Sequence, residues 1–290
     1  MAEIRIMTDS ASDIPAELQK DFGIEVLPFI IAMDDREYRD NVDFTPVEFY
    51  KKLDASAAVP THSQLTPFTF LECYERAFAE GCTDLIYVSI NAGGSATNQN
   101  AMMARDAFFR DHPEAGGKFS VHVVDGTTYT MGYGYAVVLG ARAAAEGKSV
   151  EEVLAVIRDW IDHQRVLFAP YNLQFVKKSG RVSAAAAFIG DALGLRPLIG
   201  FEDGAAKILG KVRGDKAVVP AIVDMMKDEM EPGSEYLCIH GALEDRNDEL
   251  DAECKEKIGY LPALSYYLGC IIAINCGPNV VALVYKKKKK

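Results

Sequence analysis

The 290-residue sequence lacks most of the signatures that mark a chemical site. It has no Walker G-x-x-x-x-G-K-[ST], no H-E-x-x-H and no G-x-S-x-G, and Gly132-x-Gly134 lacks the third glycine of a dinucleotide fingerprint. Five histidines (His62, His112, His122, His163, His240) show no ligand spacing, so each reads first as a surface or satisfied core residue. Six cysteines (Cys73, Cys82, Cys238, Cys254, Cys270, Cys276) are scattered without C-x-x-C or zinc-type spacing, which predicts reduced thiols rather than a metal site. No apolar stretch approaches the ~20 residues that span a bilayer. Glu3, Arg5 and Asp9 interrupt any apolar run at the start, so neither a signal peptide nor an anchor is expected and the protein reads as soluble and cytoplasmic. Basic charge is also scarce: 31 Lys+Arg stand against 42 Asp+Glu, a formal net charge of -11. Such a surface repels polyanions, which excludes a nucleic-acid role of the usual electrostatic kind. Five of the lysines form the run Lys286 to Lys290, which suits either transient contact with anionic lipid headgroups or a solvated tail.

What is present is the rhythm of an α/β protein. Short apolar runs alternate with amphipathic segments over the first two-thirds, as in a parallel sheet flanked by helices. Strands are predicted at Ile4 to Met7, Ile24 to Ala32, Leu85 to Ile90 and Phe119 to Val124. Asp13 reads as a helix cap with Pro15 in the first turn. Thr45-Pro46-Val47-Glu48 and Ser149-Val150-Glu151-Glu152 fit capping boxes, and Thr66-Pro67 offers a cap followed by proline at the first helical position. A glycine-dense segment from Gly132 to Tyr135 opens an Ala-rich helix through Ala145. Near residue 165 the rhythm changes to hairpin-like pairs: Pro197 to Phe201, Ala206 to Lys211, Tyr236 to Ile239, Cys270 to Ile274 and Val280 to Tyr285, with a turn at Glu202-Asp203-Gly204. The length and this change predict two α/β domains, residues 1–165 with a parallel sheet and residues 166–290 of mixed α/β type.

Four loops combine small residues with hydroxyls, amides or cations near expected strand ends, where helix N-termini expose N–H groups to anions. The first, Thr8-Asp9-Ser10-Ala11-Ser12-Asp13, carries two carboxylates that suit a metal-dependent phosphotransferase or hydrolase, although the spacing departs from D-x-D; capping of turns and ordering of the loop is the simpler explanation. The second, Thr61-His62-Ser63-Gln64-Leu65-Thr66-Pro67, is denser in polar donors than a cap requires. In the third, Asn91 to Asn100, Gly93 and Gly94 admit close approach of the main chain to a ligand and Ser95 precedes a helix. The fourth, Lys177-Lys178-Ser179-Gly180-Arg181-Val182-Ser183, suits an anion, a partner or plain solvation.

Taken in order, these loops resemble the DegV family of fatty-acid-binding proteins, which includes the B subunits of bacterial fatty acid kinase. The resemblance runs over essentially the whole chain. It rests on Thr8-Asp9-Ser10-Ala11-Ser12-Asp13-Ile14-Pro15; on His62-Ser63-Gln64-Leu65-Thr66-Pro67, where members read T-S-Q-P-S-P; and on Ser95-Ala96-Thr97-Asn98-Gln99-Asn100-Ala101, where they read S-G-T-Y-Q-S-A. Val123-Val124-Asp125, Lys177 to Ser183 (near K-K-G-G-R-I-S) and Leu195-Arg196-Pro197-Leu198 continue it. The resemblance implies a two-domain fold with a long-chain fatty acid buried between the domains. Its carboxylate would be held by hydroxyls and backbone amides, with neither metal nor further cofactor. Carried over by position, the contacts fall on Ser95 with Ala96 beside it, and on His62 with Thr61 and Ser63 beside it.

Three departures qualify what the resemblance implies. His62 stands where a threonine is usual, which makes the contact imidazole-based or passes it to Ser63 or Thr61. The Asn91 to Gly94 loop is longer than the common form. Asn275-Cys276-Gly277-Pro278 stands where kinase-linked members carry His-x-Gly-Pro, which argues against presentation of the acid to an ATP-dependent kinase subunit more than against lipid binding. Arg181 and Asn275 are the positions expected to meet a partner or the head group. The expectation is a non-catalytic carrier of a long-chain fatty acid that can also present the carboxylate to a separate ATP-dependent fatty acid kinase subunit; the alternative is a metal-dependent phosphotransferase or hydrolase using Asp9 and Asp13.

Overall fold

Residues 3–56, 58–180, 194–202 and 204–289 are described by the structure, a computed structural model. Its strands are β1 (Ile4–Asp9), β2 (Glu25–Leu27), β3 (Ile30–Met33), β4 (Arg36–Arg39), β5 (Thr61–Ser63), β6 (Asp84–Ser89) and β7 (Ser120–Asp125). Then follow β8 (Gln164–Pro170), β9 (Leu195–Glu202), β10 (Ala205–Arg213), β11 (Tyr236–His240), β12 (Leu264–Tyr267) and β13 (Val280–Lys286). Two compact units emerge: Met1–Ile31 with His62–Asp162, and Ala32–Thr61 with His163–Lys290. The second thus includes Ala32–Thr61, a segment that the sequence pattern places with the N-terminal part. Amphipathic spacing shows that a helix has an apolar face, not which core receives it. In the helix Pro46–Ala55 that face is Phe49, Tyr50 and Leu53, and the Tyr50 hydroxyl donates to the Leu268 carbonyl at 2.5 Å.

In the first unit a four-stranded sheet runs β2-β1-β6-β7, every pairing parallel. Met7, Leu85, Tyr87 and Val121 bury one face against the helices Pro67–Ala79 and Thr97–Asp111, through Phe70, Tyr74, Ala101, Ala104 and Phe108. The helix Met131–Ala145 packs on β1 and β6 and is buried almost all round its first two turns. A helix so enclosed needs a residue without a side chain at its tightest contact: a Cβ at Gly134 would collide with the Ser12 carbonyl oxygen. Both capping boxes form, Thr45 with Glu48 and Ser149 with Glu152, and Thr66 accepts from the Thr69 N–H at 3.2 Å.

In the second unit the order is β10-β9-β8-β13-β11-β12, antiparallel except for the parallel pair β11–β12. The helices Val218–Glu229 and Glu244–Ile258 cover it with Val219, Ile222, Val223, Leu250 and Cys254. β3, β4 and β5 form a third sheet, ordered β4-β3-β5. Beside that small sheet stand the parallel and the mixed sheet of a mixed α/β fold, as expected.

Three local expectations are corrected. The run Ile24 to Ala32 is two strands, broken where Pro28 has no N–H to donate and the Phe29 N–H turns to Ser10 Oγ at 3.0 Å. Cys270 to Ile274 is not a strand but part of the helix Cys270–Cys276, since a short apolar run reads the same either way. Asp13 does not cap a helix; it lies at φ 56° closing the 3-10 turn Ser10–Ser12, and the next helix begins after Pro15 without a side-chain cap. Among the described residues no helix is long and apolar enough to cross a membrane, and all six cysteines are buried.

Candidate ligand site

Because β1, β6 and β7 are parallel, the loops that follow them share the carboxyl-terminal edge of one sheet. β2 lies on one side of β1 and β6 with β7 on the other, so the order reverses between β1 and β6, where α/β sheets accept ligands. At that point stands Asp9, fully buried. Its Oδ2 accepts from the Tyr87 hydroxyl at 2.9 Å and from the Ile90 N–H at 3.0 Å, and its Oδ1 accepts from the Tyr133 hydroxyl at 2.6 Å. Burial pushes the Asp9 carboxyl above its ordinary range, while the hydrogen bonds from Tyr133, Ile90 and Tyr87 pull against that shift. Burial and the neighbouring Asp9 charge likewise push both tyrosines well up.

This placement does not favour the enzyme alternative. A nucleophile or metal ligand must reach its substrate, and Asp9 is enclosed and hydrogen-bonded by Tyr87, Tyr133, Ile90 and Ala11. Asp13 is also buried, at 2 % exposure. Among the described residues no group of three or more His, Cys, Asp or Glu side chains is placed to hold a metal.

The loop after β6 is built around Asn91. Its Oδ1 accepts from the Gly93 N–H at 2.9 Å, its carbonyl accepts from the Gly94 and Ser95 N–H groups, and its own N–H donates to the Thr128 carbonyl at 3.0 Å. Asp125 Oδ1 accepts from the N–H of Ala92 and of Thr127, joining this loop to the one after β7. Gly94 lies so close to the Tyr129 hydroxyl that a Cβ there would overlap it. Asn98 donates to Ser89 Oγ at 2.9 Å, tying the following helix back to β6. Ser95 therefore emerges from a braced loop. It is half-buried, its Oγ lies 2.8 Å from Thr97 Oγ1, and it accepts from the Thr97 N–H at 3.3 Å. Ala96 is exposed at the helix N-cap without a side-chain cap.

Thr61, His62 and Ser63 form β5; Thr61 and Ser63 are exposed, and the half-buried His62 ring meets Phe29 edge-on at 6.1 Å between centroids. The Leu65 carbonyl accepts from Asn100 Nδ2 at 2.7 Å, which brings the end of this loop to the helix that Ser95 precedes. The structure thus joins the second and third loops. Asn275 belongs to the second unit, where its Nδ2 donates to the Ile271 carbonyl at 2.6 Å near the end of a helix. Lys177 and Lys178 occupy the last turn of the helix Leu173–Ser179, and Arg181 lies outside the described residues. Of the bracing residues, Asn91 and Asn98 lie in the third loop and Asp125 in a resemblance motif, whereas Tyr87 and Tyr133 were not legible as site residues. Only Asp125, a strand-end carboxylate before Gly126, carried a turn signal.

Residues 3–288 match the family model described as "Uncharacterised protein, DegV family". The chain belongs to the DegV family. A DegV domain-containing protein of Caldanaerobacter subterraneus subsp. tengcongensis is 32% identical over 294 residues, covering 99% of this chain and 100% of the relative. The solved structure of a fatty-acid-binding DegV protein from Thermus thermophilus matches with a TM-score of 0.86 at 28% identity, covering 99% of this chain and 100% of that one. A stearic-acid-binding protein from Eubacterium ventriosum shares the fold, with a TM-score of 0.87 at 20% identity and 99% of each chain covered.

Proposed function

We propose that this DegV protein binds a long-chain fatty acid and carries it without transforming it. The observation that carries the reading is the likeness to the Thermus thermophilus protein, a fatty-acid-binding member of the family, over 99% of this chain. The local geometry supports it. Ser95 offers a hydroxyl on a braced loop before a 15-residue helix, whose N-terminus favours a carboxylate. His62 and Ser63, with Thr61 before them, are the second group of contacts, and Ala96 offers a backbone N–H. An acyl chain supplies most of the affinity, at about 0.8 kcal/mol for each buried CH₂. The polar loops then need only satisfy one carboxylate, which is costly to bury unpaired.

The finer proposal concerns the kinase. Asn275 hydrogen-bonds within its own helix and offers no titrating ring, so we assign the chain to carriage rather than to presentation of the acid for phosphorylation. Supplying an ATP-dependent fatty acid kinase subunit should yield no acyl phosphate, and Asn275→His is the variant that would restore some. Carriage itself is tested by organic-solvent extraction of the purified protein followed by mass spectrometry. About one fatty acid per chain is expected; absence of lipid together with no uptake of added acid overturns the proposal.

A further inference from the structure

We propose that Asp9 is a positioning residue for the carboxylate site, acting through the Ile90–Asn91 turn on Ser95; this inference rests on the fatty acid reading. Asp9 stands at the end of β1, far along the chain from Ser95, yet the hydrogen bonds between them are continuous. Asp9 Oδ2 accepts from the Ile90 N–H at 3.0 Å. The next residue, Asn91, accepts from Gly93 through its side chain at 2.9 Å and from Ser95 through its carbonyl at 3.1 Å. Asp9 therefore sets the exit of the chain from β6, and that exit sets where the Ser95 hydroxyl stands.

The two tyrosines fix the carboxylate in turn. Tyr87 reaches it from β6 and Tyr133 from the helix Met131–Ala145, so its orientation is set from two elements. Asp13 also acts on Tyr133, adding to the burial and Asp9 that push it up. A side chain that merely filled the core would need no acceptors at all. Here the hydroxyls of Tyr87 and Tyr133 and the N–H groups of Ile90 and Ala11 converge on two oxygens, and the Ile90 N–H belongs to the main chain of the ligand loop.

The test separates positioning from general stability by comparing two ligands with the same tail. A fatty acid uses both the acyl-chain pocket and the carboxylate site, whereas its methyl ester uses the pocket alone. In the parent protein the acid should bind at least tenfold more tightly than the ester. Asp9→Ala should lose most of that preference while the ester's affinity stays within about twofold. Asp9→Asn should retain the preference: its amide oxygen can accept from Ile90 and Tyr87 while its NH₂ donates to the Tyr133 hydroxyl. Ser95→Ala should show the same loss, and the double variant Asp9→Ala with Ser95→Ala should lose no more than either alone, as expected if Asp9 acts through Ser95. If Asp9→Ala does not fold, Asn91→Ala removes the Oδ1 acceptor of the Gly93 N–H while keeping the carbonyl that Ser95 uses, and it should lose part of the preference. Equal loss of acid and ester affinity, an undiminished preference in a folded Asp9→Ala or Asn91→Ala protein, or additive losses in the double variant would overturn the inference. If the parent binds neither ligand, it is the fatty acid reading that fails.

Discussion

Removal of the Asp9 carboxylate is the sharpest structural perturbation available in the first unit. Asp9→Ala leaves the hydroxyls of Tyr87 and Tyr133 and the N–H of Ile90 without their acceptor in a fully buried position. Each buried donor without a partner costs about 1–3 kcal/mol. Relief of the carboxylate's own desolvation offsets part of that sum, so a net loss of about 3–5 kcal/mol is expected. Asp9→Asn keeps an acceptor for the Ile90 N–H and the Tyr87 hydroxyl and makes the Tyr133 hydroxyl the acceptor of its NH₂, so only the Tyr133 O–H loses its acceptor and the cost should be about 1–3 kcal/mol. The assay is urea unfolding followed by the fluorescence of Trp160, the single tryptophan, whose indole donates to the Gly132 carbonyl at 2.9 Å beside Tyr133. The sign of the pH effect follows from the raised Asp9 pKa: the folded state holds its proton more tightly than the unfolded chain does. Stability from that proton is fully present below the ordinary value of 3.8 and is lost as pH rises through the higher folded value. The parent's stability relative to Asp9→Asn, which cannot titrate there, should therefore fall with rising pH across that window and then level off. An Asp9→Ala protein within about 1 kcal/mol of the parent, or Asp9→Asn as damaging as Asp9→Ala, would refute the reasoning.

Other outcomes follow from single contacts. Gly134→Ala should lower the thermal midpoint despite alanine's better helix propensity, because the new Cβ meets the Ser12 carbonyl; a raised midpoint would count against that packing. Thr45→Ala removes one partner of a complete capping box and should cost about 1 kcal/mol, read from the urea midpoint by circular dichroism. Ser95→Ala should weaken binding of a fatty acid by roughly tenfold or more, the worth of one hydrogen bond to a charged group, as measured by calorimetry.

The parts of the fold that were legible are those with a local cause. β1, β6 and β7 follow from apolar runs, and the caps at Thr45, Thr66 and Ser149 follow from a hydroxyl placed before a helix. The misread parts depend on partners distant in sequence. Nothing between Ile24 and Ala32 shows that the Phe29 N–H turns to Ser10, and nothing in the Pro46–Ala55 helix shows which core takes Tyr50. The same distinction holds at the site. Ser95 is visible because it follows two glycines and precedes a helix. The Asp9–Tyr87–Tyr133 cluster is not, since Tyr133 lies 124 residues from Asp9 and reads locally as one more apolar helix residue. Asp9 itself looked like chemistry because carboxylates in a turn suit both catalysis and bracing; its burial favours bracing.

Native mass spectrometry of the purified protein, before and after delipidation and incubation with one defined long-chain fatty acid, tests the central claim most directly. A single added mass equal to that acid is expected, present after incubation in the parent and reduced in Ser95→Ala. A parent that takes up no acid, or that binds one with an affinity indifferent to Ser95, His62 and Ser63, would contradict it.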